Sequence, residues 1–294
     1  MSQKIRKLSW LEIWELTKTS FLEFFKGDSF THGAALAYYA IFALIPILYL
    51  SITSIGLFLG QDRVVEIVSF FMESKMGVGD VTAFTDLMYQ WGVGASGTLL
   101  LKVVGIIILI FTSTAMFNSL RNSLNSFFGI KPIRHYNVVL ESLLSRLVSF
   151  ALLALFAIII IVIYFAQSVL LSLTSEWLAA GSFGEKTFLL LFEHFTMILV
   201  NFILFAFIFK YLHDGKIKWK LALGGSLFTS ILLYIGQLLV NYYLSNFFFA
   251  ANSGIAGTLL AILTWIFYTS QIIFLGAKFT AVYARKVGKP IIPK

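Results

Sequence analysis

The sequence predicts an all-α, polytopic membrane bundle of six transmembrane helices, preceded by an amphipathic helix and carrying a helical hairpin between its first two spans. Three observations lead there. Apolar residues make up 59% of the chain and charged residues only 12%, whereas soluble domains run near a quarter charged. Several charge-poor runs exceed the roughly 20 residues that cross about 30 Å of hydrocarbon. Lysine and arginine also fall unevenly on the connections, as the positive-inside rule requires.

Residues 33–60 carry no charge and as a helix measure about 40 Å, so this first span must tilt, bend at Pro46 or protrude. The second span covers 97–118, with Lys102 near enough to one end to reach headgroups. The third covers 147–173, the fourth 188–209, the fifth 221–249 and the sixth 257–284. A single membrane domain, 1–294, accommodates them, with a cytoplasmic tail at 285–294.

An even number of spans puts both termini on one side. Counting Lys278 with the tail, the N-terminal stretch, the second and fourth connections and the tail hold 18 of the 22 lysines and arginines, which makes that side cytoplasmic. The other side is acidic, with Asp62, Glu66, Glu73, Asp80, Asp86, Glu176, Glu185 and Glu193. The net charge of +8 is thus topogenic and forms no nucleic-acid stripe. Glutamates at 12, 15 and 23 interrupt the basic start, which predicts no cleaved signal. The absence of cysteine removes disulfides, thiolate nucleophiles and Cys-type metal sites.

Two segments outside the spans read as helices. Within the cytoplasmic stretch 1–32, Trp10, Ile13, Trp14, Thr17, Phe21 and Phe24 recur at helical spacing against Glu12, Glu15, Lys18 and Glu23, a pattern expected of a helix lying on the inner leaflet. Over 61–92, Val64, Ile67, Val68, Phe71 and Met72 form one stripe and Val81, Phe84, Met88 and Trp91 another, separated by Gly77 and Gly79. That pattern predicts a helical hairpin on the outer, periplasmic face.

Specific motifs add a resemblance. The run Gly33-Ala34-Ala35-Leu36-Ala37-Tyr38-Tyr39-Ala40-Ile41-Phe42-Ala43-Leu44-Ile45-Pro46, with Asp28 before it, resembles the opening signature of the YihY/BrkB family of bacterial inner-membrane proteins, which usually has serine at the position of Ala43. The segment Leu124-Asn125-Ser126-Phe127-Phe128-Gly129-Ile130-Lys131, with Arg134 and Arg146, is similar to the family's loop before the third span. Gly254-Ile255-Ala256-Gly257-Thr258, then Trp265, Tyr268 and Gly276 to Arg285, resemble its closing span, with Lys278 where the family normally has glutamate. Asp214, Trp219 and Gly224 fit as well, although Leu212-His213 replaces leucine-proline. The resemblance covers Asp28 to Arg285. It implies an inner-membrane protein with links to virulence, envelope lipid handling or transport, and it brings an old ribonuclease BN label.

The residues speak against the nuclease. Phosphodiester cleavage needs clustered carboxylates or histidines, or paired acid and base groups. Beyond the N-terminal stretch the cytoplasmic acids are only Glu141 and Asp214, and His32, His135, His194 and His213 lie in separate regions without ligand spacing, as interfacial or surface histidines do. No Walker loop, nucleophile elbow or dinucleotide fingerprint occurs. No catalytic residue, metal or cofactor is expected.

Polar side chains within spans should face the bundle interior or a wet path. Tyr38, Tyr39, Thr112, Ser113, Asn118, Gln167, Asn201, Gln237, Asn241 and Gln271 meet that description, although each also serves as interhelical glue. Gln237 with Asn241, and Asn118 with Asn122, share faces at i, i+4. Arg121, Arg134 and Arg146 flank the cytoplasmic mouths, where a guanidinium fork holds a lipid phosphate, or simply sets topology. Lys278 is expected to snorkel. The candidate lipid- or substrate-binding residues are therefore Tyr39, Asn118, Arg121, Asn125, Arg134, Arg146, Gln237, Asn241 and Gln271. Pro46, Gly254, Gly257, Trp265 and Gly276 are structural, with Gly224 and Gly225 permitting close helix approach. The expected function is to move, or help move, a lipid-like or anionic amphipathic envelope molecule, with a structural or assembly role as the alternative. Membrane lipids are the expected partners, with an envelope lipid-transport protein as a candidate.

Overall fold

The computed structural model describes residues 9–74, 81–93, 99–130, 183–247 and 254–293. The expected third span, the hairpin turn at Gly77 and Gly79, and Arg134, Arg146 and Gln167 lie outside these residues.

Helix α1 runs Trp10–Phe25, α2 Ser29–Leu59, α3 Gln61–Ser74, α4 Thr82–Val93 and α5 Leu99–Phe128. They are followed by α6 (Phe183–Tyr211), strand β1 (Gly215–Lys216), α7 (Trp219–Phe247), α8 (Gly254–Lys286) and strand β2 (Ile292–Pro293). The two strands pair antiparallel, Gly215 opposite Pro293 and Lys216 opposite Ile292.

Four of the described helices contain stretches long and apolar enough to cross a membrane: Val103–Phe128, His194–Tyr211, Trp219–Leu244 and Gly254–Lys286. The first expected span lies on α2 except for its last residue, Gly60, and the helix continues through Pro46.

Local sequence explains where the helices start and stop. Ser9 opens α1 with a capping box, its backbone N–H donating to Glu12 Oε2 at 2.7 Å. Helix α5 outlasts the expected end at residue 118 by ten residues, because Phe117, Leu124, Phe127 and Phe128 continue an apolar face that is buried. Arg121 and Asn125 therefore sit on α5 itself, beyond the expected end of the span. The helix ends where Gly129 adopts φ 72°. Ile130 N–H then bonds Asn125 O and Gly129 N–H bonds Ser126 O, the two links of a Schellman turn. Gly288 ends α8 the same way.

The chain divides into two compact units. One comprises residues 1–19, 125–234 and 276–294, the other 20–124 and 235–275.

In the second unit, α3 and α4 pack on each other and on α2. Val64, Val65 and Met72 of α3, Val81, Phe84 and Met88 of the α4 segment, and Val240, Leu244, Ala261 and Ile262 of α7 and α8 form its core. Ile67, expected in the α3 stripe, is exposed, and Val65 occupies the inner arc instead.

In the first unit, α7 and α8 interlock through small residues. A Cβ added at Gly225 would overlap Oγ1 of Thr280, and one added at Gly276 would overlap Oγ1 of Thr229. Each threonine hydroxyl donates to the carbonyl four residues earlier on its own helix, Thr229 to Gly225 and Thr280 to Gly276, both at 2.7 Å. Each hydroxyl oxygen thus occupies the opposing glycine notch while keeping a carbonyl of its own helix as hydrogen-bond acceptor. Gly224 receives the ring of Tyr283, and Phe228 stacks on Phe279 with centroids 4.0 Å apart.

Candidate functional site

Each unit holds a cluster of polar side chains among its apolar helices. In the second unit the cluster forms where α2 begins and α8 passes. Gly33 makes the approach possible, because a Cβ there would overlap the amide nitrogen of Gln271 and stand 3.0 Å from Ser270 Oγ. Gln271 Nε2 donates to Ser29 O at 3.3 Å. Ser270 Oγ donates to Phe267 O at 2.6 Å and lies 3.5 Å from Gly33 O.

Gln271 Oε1 is buried without a hydrogen-bond partner, as is Thr269 Oγ1. An acceptor so placed costs about 1–3 kcal/mol, and water, a hydroxyl or an ammonium group would satisfy it. Beside it, His32 Nδ1 lies 2.9 Å from Ser123 Oγ, and that hydroxyl is 2.7 Å from Ser119 O. One hydroxyl proton serves one acceptor. When Ser119 O takes it, His32 carries its proton on Nδ1.

The other sequence-predicted residues of this unit are spread over three helices. Tyr39 on α2 is half-buried beside Tyr38, their centroids 5.7 Å apart. On α5, Asn118 is exposed and Arg121 half-buried. Gln237 and Asn241 are half-buried on α7, next to Gly236, where an added Cβ would overlap the Tyr268 hydroxyl. Gly254 opens α8 at φ 63°, and Gly257 is buried.

The first unit builds its cluster at the end of α5 and the turn after α6. Asn125 Nδ2 donates to Asp214 Oδ2 at 2.6 Å, and Asp214 N–H donates to Asn125 Oδ1 at 2.9 Å. Both ends of this buried amide are held, so Asn125, a candidate ligand group by sequence, joins the end of α5 to the loop after α6.

His213 is 1% exposed, a correction to its expected place at the surface or interface. Gly215 N–H donates to its Nδ1 at 2.8 Å, and Nε2 lies 2.7 Å from Phe209 O. Those partners require the neutral, Nε2-protonated ring. The burial has a local cause: α6 ends with unpaired carbonyls, and the imidazole covers one of them while stacking edge-on against Phe128, 4.7 Å away. Gly215 is confined too, since an added Cβ would press on Ile130 and on Ile291 just before β2.

Lys278 lies near the last turns of α8. It is half-buried, with Nζ 5.9 Å from the ring centre of Phe127. On α6, His194 Nδ1 is buried without a partner, and its ring meets Tyr234 edge-on. Among the described residues no group of three or more His, Asp or Glu side chains is placed to hold a metal ion.

Ser29, Ser123 and Ser270 were not singled out by sequence reasoning. Serine in an apolar run is common, and only the pairing of Gln271 with a glycine on another helix would have drawn attention to them.

The chain matches the family model described as virulence factor BrkB over residues 20–292. It is 23% identical over 181 residues to a UPF0761 membrane protein of Glaesserella parasuis serovar 5 (strain SH0165), a match that covers 61% of this chain and 61% of that protein. The chain thus spans about three fifths of that relative's length. No solved structure matches it. With its apolar helices, the chain is a multi-pass membrane protein and belongs to the virulence factor BrkB family.

Proposed function

We propose that this protein crosses a bacterial cytoplasmic membrane six times, with both ends in the cytoplasm, and moves or helps move a lipid-like or anionic amphipathic molecule of the envelope. The observation that carries this reading is the carboxamide of Gln271. It lies within an apolar helix, one end bonded to the Ser29 carbonyl and the other buried and unpartnered. Polar groups are costly in hydrocarbon, and an open acceptor there fits a site that is wet or receives a donor from a passing headgroup. The distribution of lysine and arginine supports the orientation. Arg121, half-buried on α5, supplies a cation at the expected inner mouth.

The test is lipid movement in proteoliposomes loaded with fluorescent phosphatidylglycerol or phosphatidylethanolamine. Protein-dependent movement that falls at least tenfold in Gln271→Leu and Arg121→Ala, with both variants still folded, is the expected result. No movement of either lipid by the unsubstituted protein would exclude the reading for these lipids and favour a structural or assembly role.

A further inference from the structure

We propose that α1 is a two-faced clamp, which docks one face in the bilayer interface and with the other holds the end of α8. At about 100° per residue, Trp10, Leu11, Trp14, Phe21, Leu22 and Phe25 fall within an arc of about 120°, and all of them are exposed. The lone charge in that arc is Lys18, also exposed. Trp10 and Trp14 are 87% and 70% exposed, an extreme for the largest apolar side chain.

The arc on the other side of the helix is buried. Leu16, Ser20 and Phe24 are each at most 3% exposed, and Leu16 packs with Phe279 and Val282 of α8. The acids are separate from both faces. Lys286, in the last turn of α8, donates to Glu15 Oε2 at 3.0 Å and to Glu12 O at 3.1 Å. The sequence stripe had combined residues of both faces, placing Phe24 with Trp14. The structure separates them and leaves a second apolar surface.

Two observations identify the occupant of that surface as the bilayer. The exposed arc continues as a ladder of rings onto the membrane helices, from Phe21 to Phe25 at 6.5 Å, Phe25 to Phe30 at 6.2 Å and Phe30 to Phe267 at 6.4 Å. Phe25 and Phe30 are exposed along it, so α1 presents the same apolar surface as helices whose surroundings are lipid. Its composition also suits the interface. Tryptophan places an apolar ring and a polar N–H at headgroup depth, and lysine reaches a phosphate from among aromatic neighbours. The inference depends on the protein being a membrane protein and is independent of whether it transports anything.

The cysteine-free chain allows a direct test. Full-length Trp14→Cys, Leu22→Cys and Thr19→Cys variants carry a nitroxide in nanodiscs of phosphatidylethanolamine and phosphatidylglycerol, and each label's collisions with oxygen and with a water-soluble nickel chelate are measured. Labels at 14 and 22 should favour oxygen by several-fold, and the label at 19, on the polar side, should favour nickel. Preference for nickel at both 14 and 22 overturns the proposal. Protection from both reagents also overturns it, because a protein then covers the face. Using two positions keeps the test decisive if one variant does not fold.

Discussion

Gly225 of α7 accepts the side chain of Thr280 from α8, and Gly276 of α8 accepts Thr229 from α7 in return. The two Gly-x-x-x-Thr segments therefore lock as reciprocal knobs and notches. Gly225→Leu or Gly276→Leu should destabilise the protein by at least about 1–3 kcal/mol, the usual range for overpacking. Loss of the monodisperse peak on heating in detergent, at a markedly lower temperature than for the unsubstituted protein, is the measurement. Thr280→Ser, which keeps the hydroxyl and removes the methyl group, should shift it only slightly.

Gly33 and Gln271 should behave as a coupled pair. Gly33→Ala introduces a Cβ that overlaps the glutamine amide, so it should be destabilising alone. In the Gln271→Ala background most of that effect should vanish, giving a coupling of roughly 1 kcal/mol or more in a double-mutant cycle. Additive effects would mean that the clash is relieved by backbone movement.

Asn125→Ala leaves the Asp214 carboxylate and its backbone N–H without their amide partner, at a cost of about 1–3 kcal/mol. Hydrogen exchange should accelerate at Asp214, Gly215 and Lys216. Asn125→Leu should not rescue it, because volume is not what the site lacks.

His213→Phe keeps an aromatic ring beside Phe128 and removes both ring nitrogens. Gly215 N–H and Phe209 O lose their partners, so stability should fall by about 1–3 kcal/mol with little change in helix content. Circular dichroism combined with exchange at Gly215 separates the two effects.

By contrast, Lys286→Ala should change stability by less than about 1 kcal/mol. The Glu15 partner is 72% exposed, and exposed ion pairs contribute little. Leu16→Ala, which empties the contact on the Phe279 and Val282 side of the same helix, should cost about 2–5 kcal/mol. Thermal melts of the two variants test which contact holds α1 to α8.

The sequence made the membrane helices legible because charge-free length is a strong signal that needs no partner to interpret. Helices α1, α3 and α4 were legible from periodicity, but the direction each stripe faces was not, as Ile67 and Phe24 show. Period locates a stripe and cannot say which neighbour covers it. The expected second span stopped at residue 118 because charge-free apolar length ends there, whereas the last turns of α5 are held by tertiary burial of Leu124 and Phe128. Gln271 was named correctly as a polar residue in a span, yet its relation to Gly33 crosses more than two hundred residues and leaves no trace in local pattern. The roles of Asn125 and His213 were hidden for the same reason.

The pairing of β1 with β2 has a consequence for the order of assembly. Gly215 and Lys216 are synthesised before α7 and α8, whereas Ile292 and Pro293 follow both helices. Through the whole interval in which those two helices are made, the turn after α6 must keep its shape without its strand partner. Contacts that close over such a separation form late. The shorter-range bonds of His213 to Phe209 and Gly215 need no residue beyond the turn itself, so they are available to shape it before β2 is made.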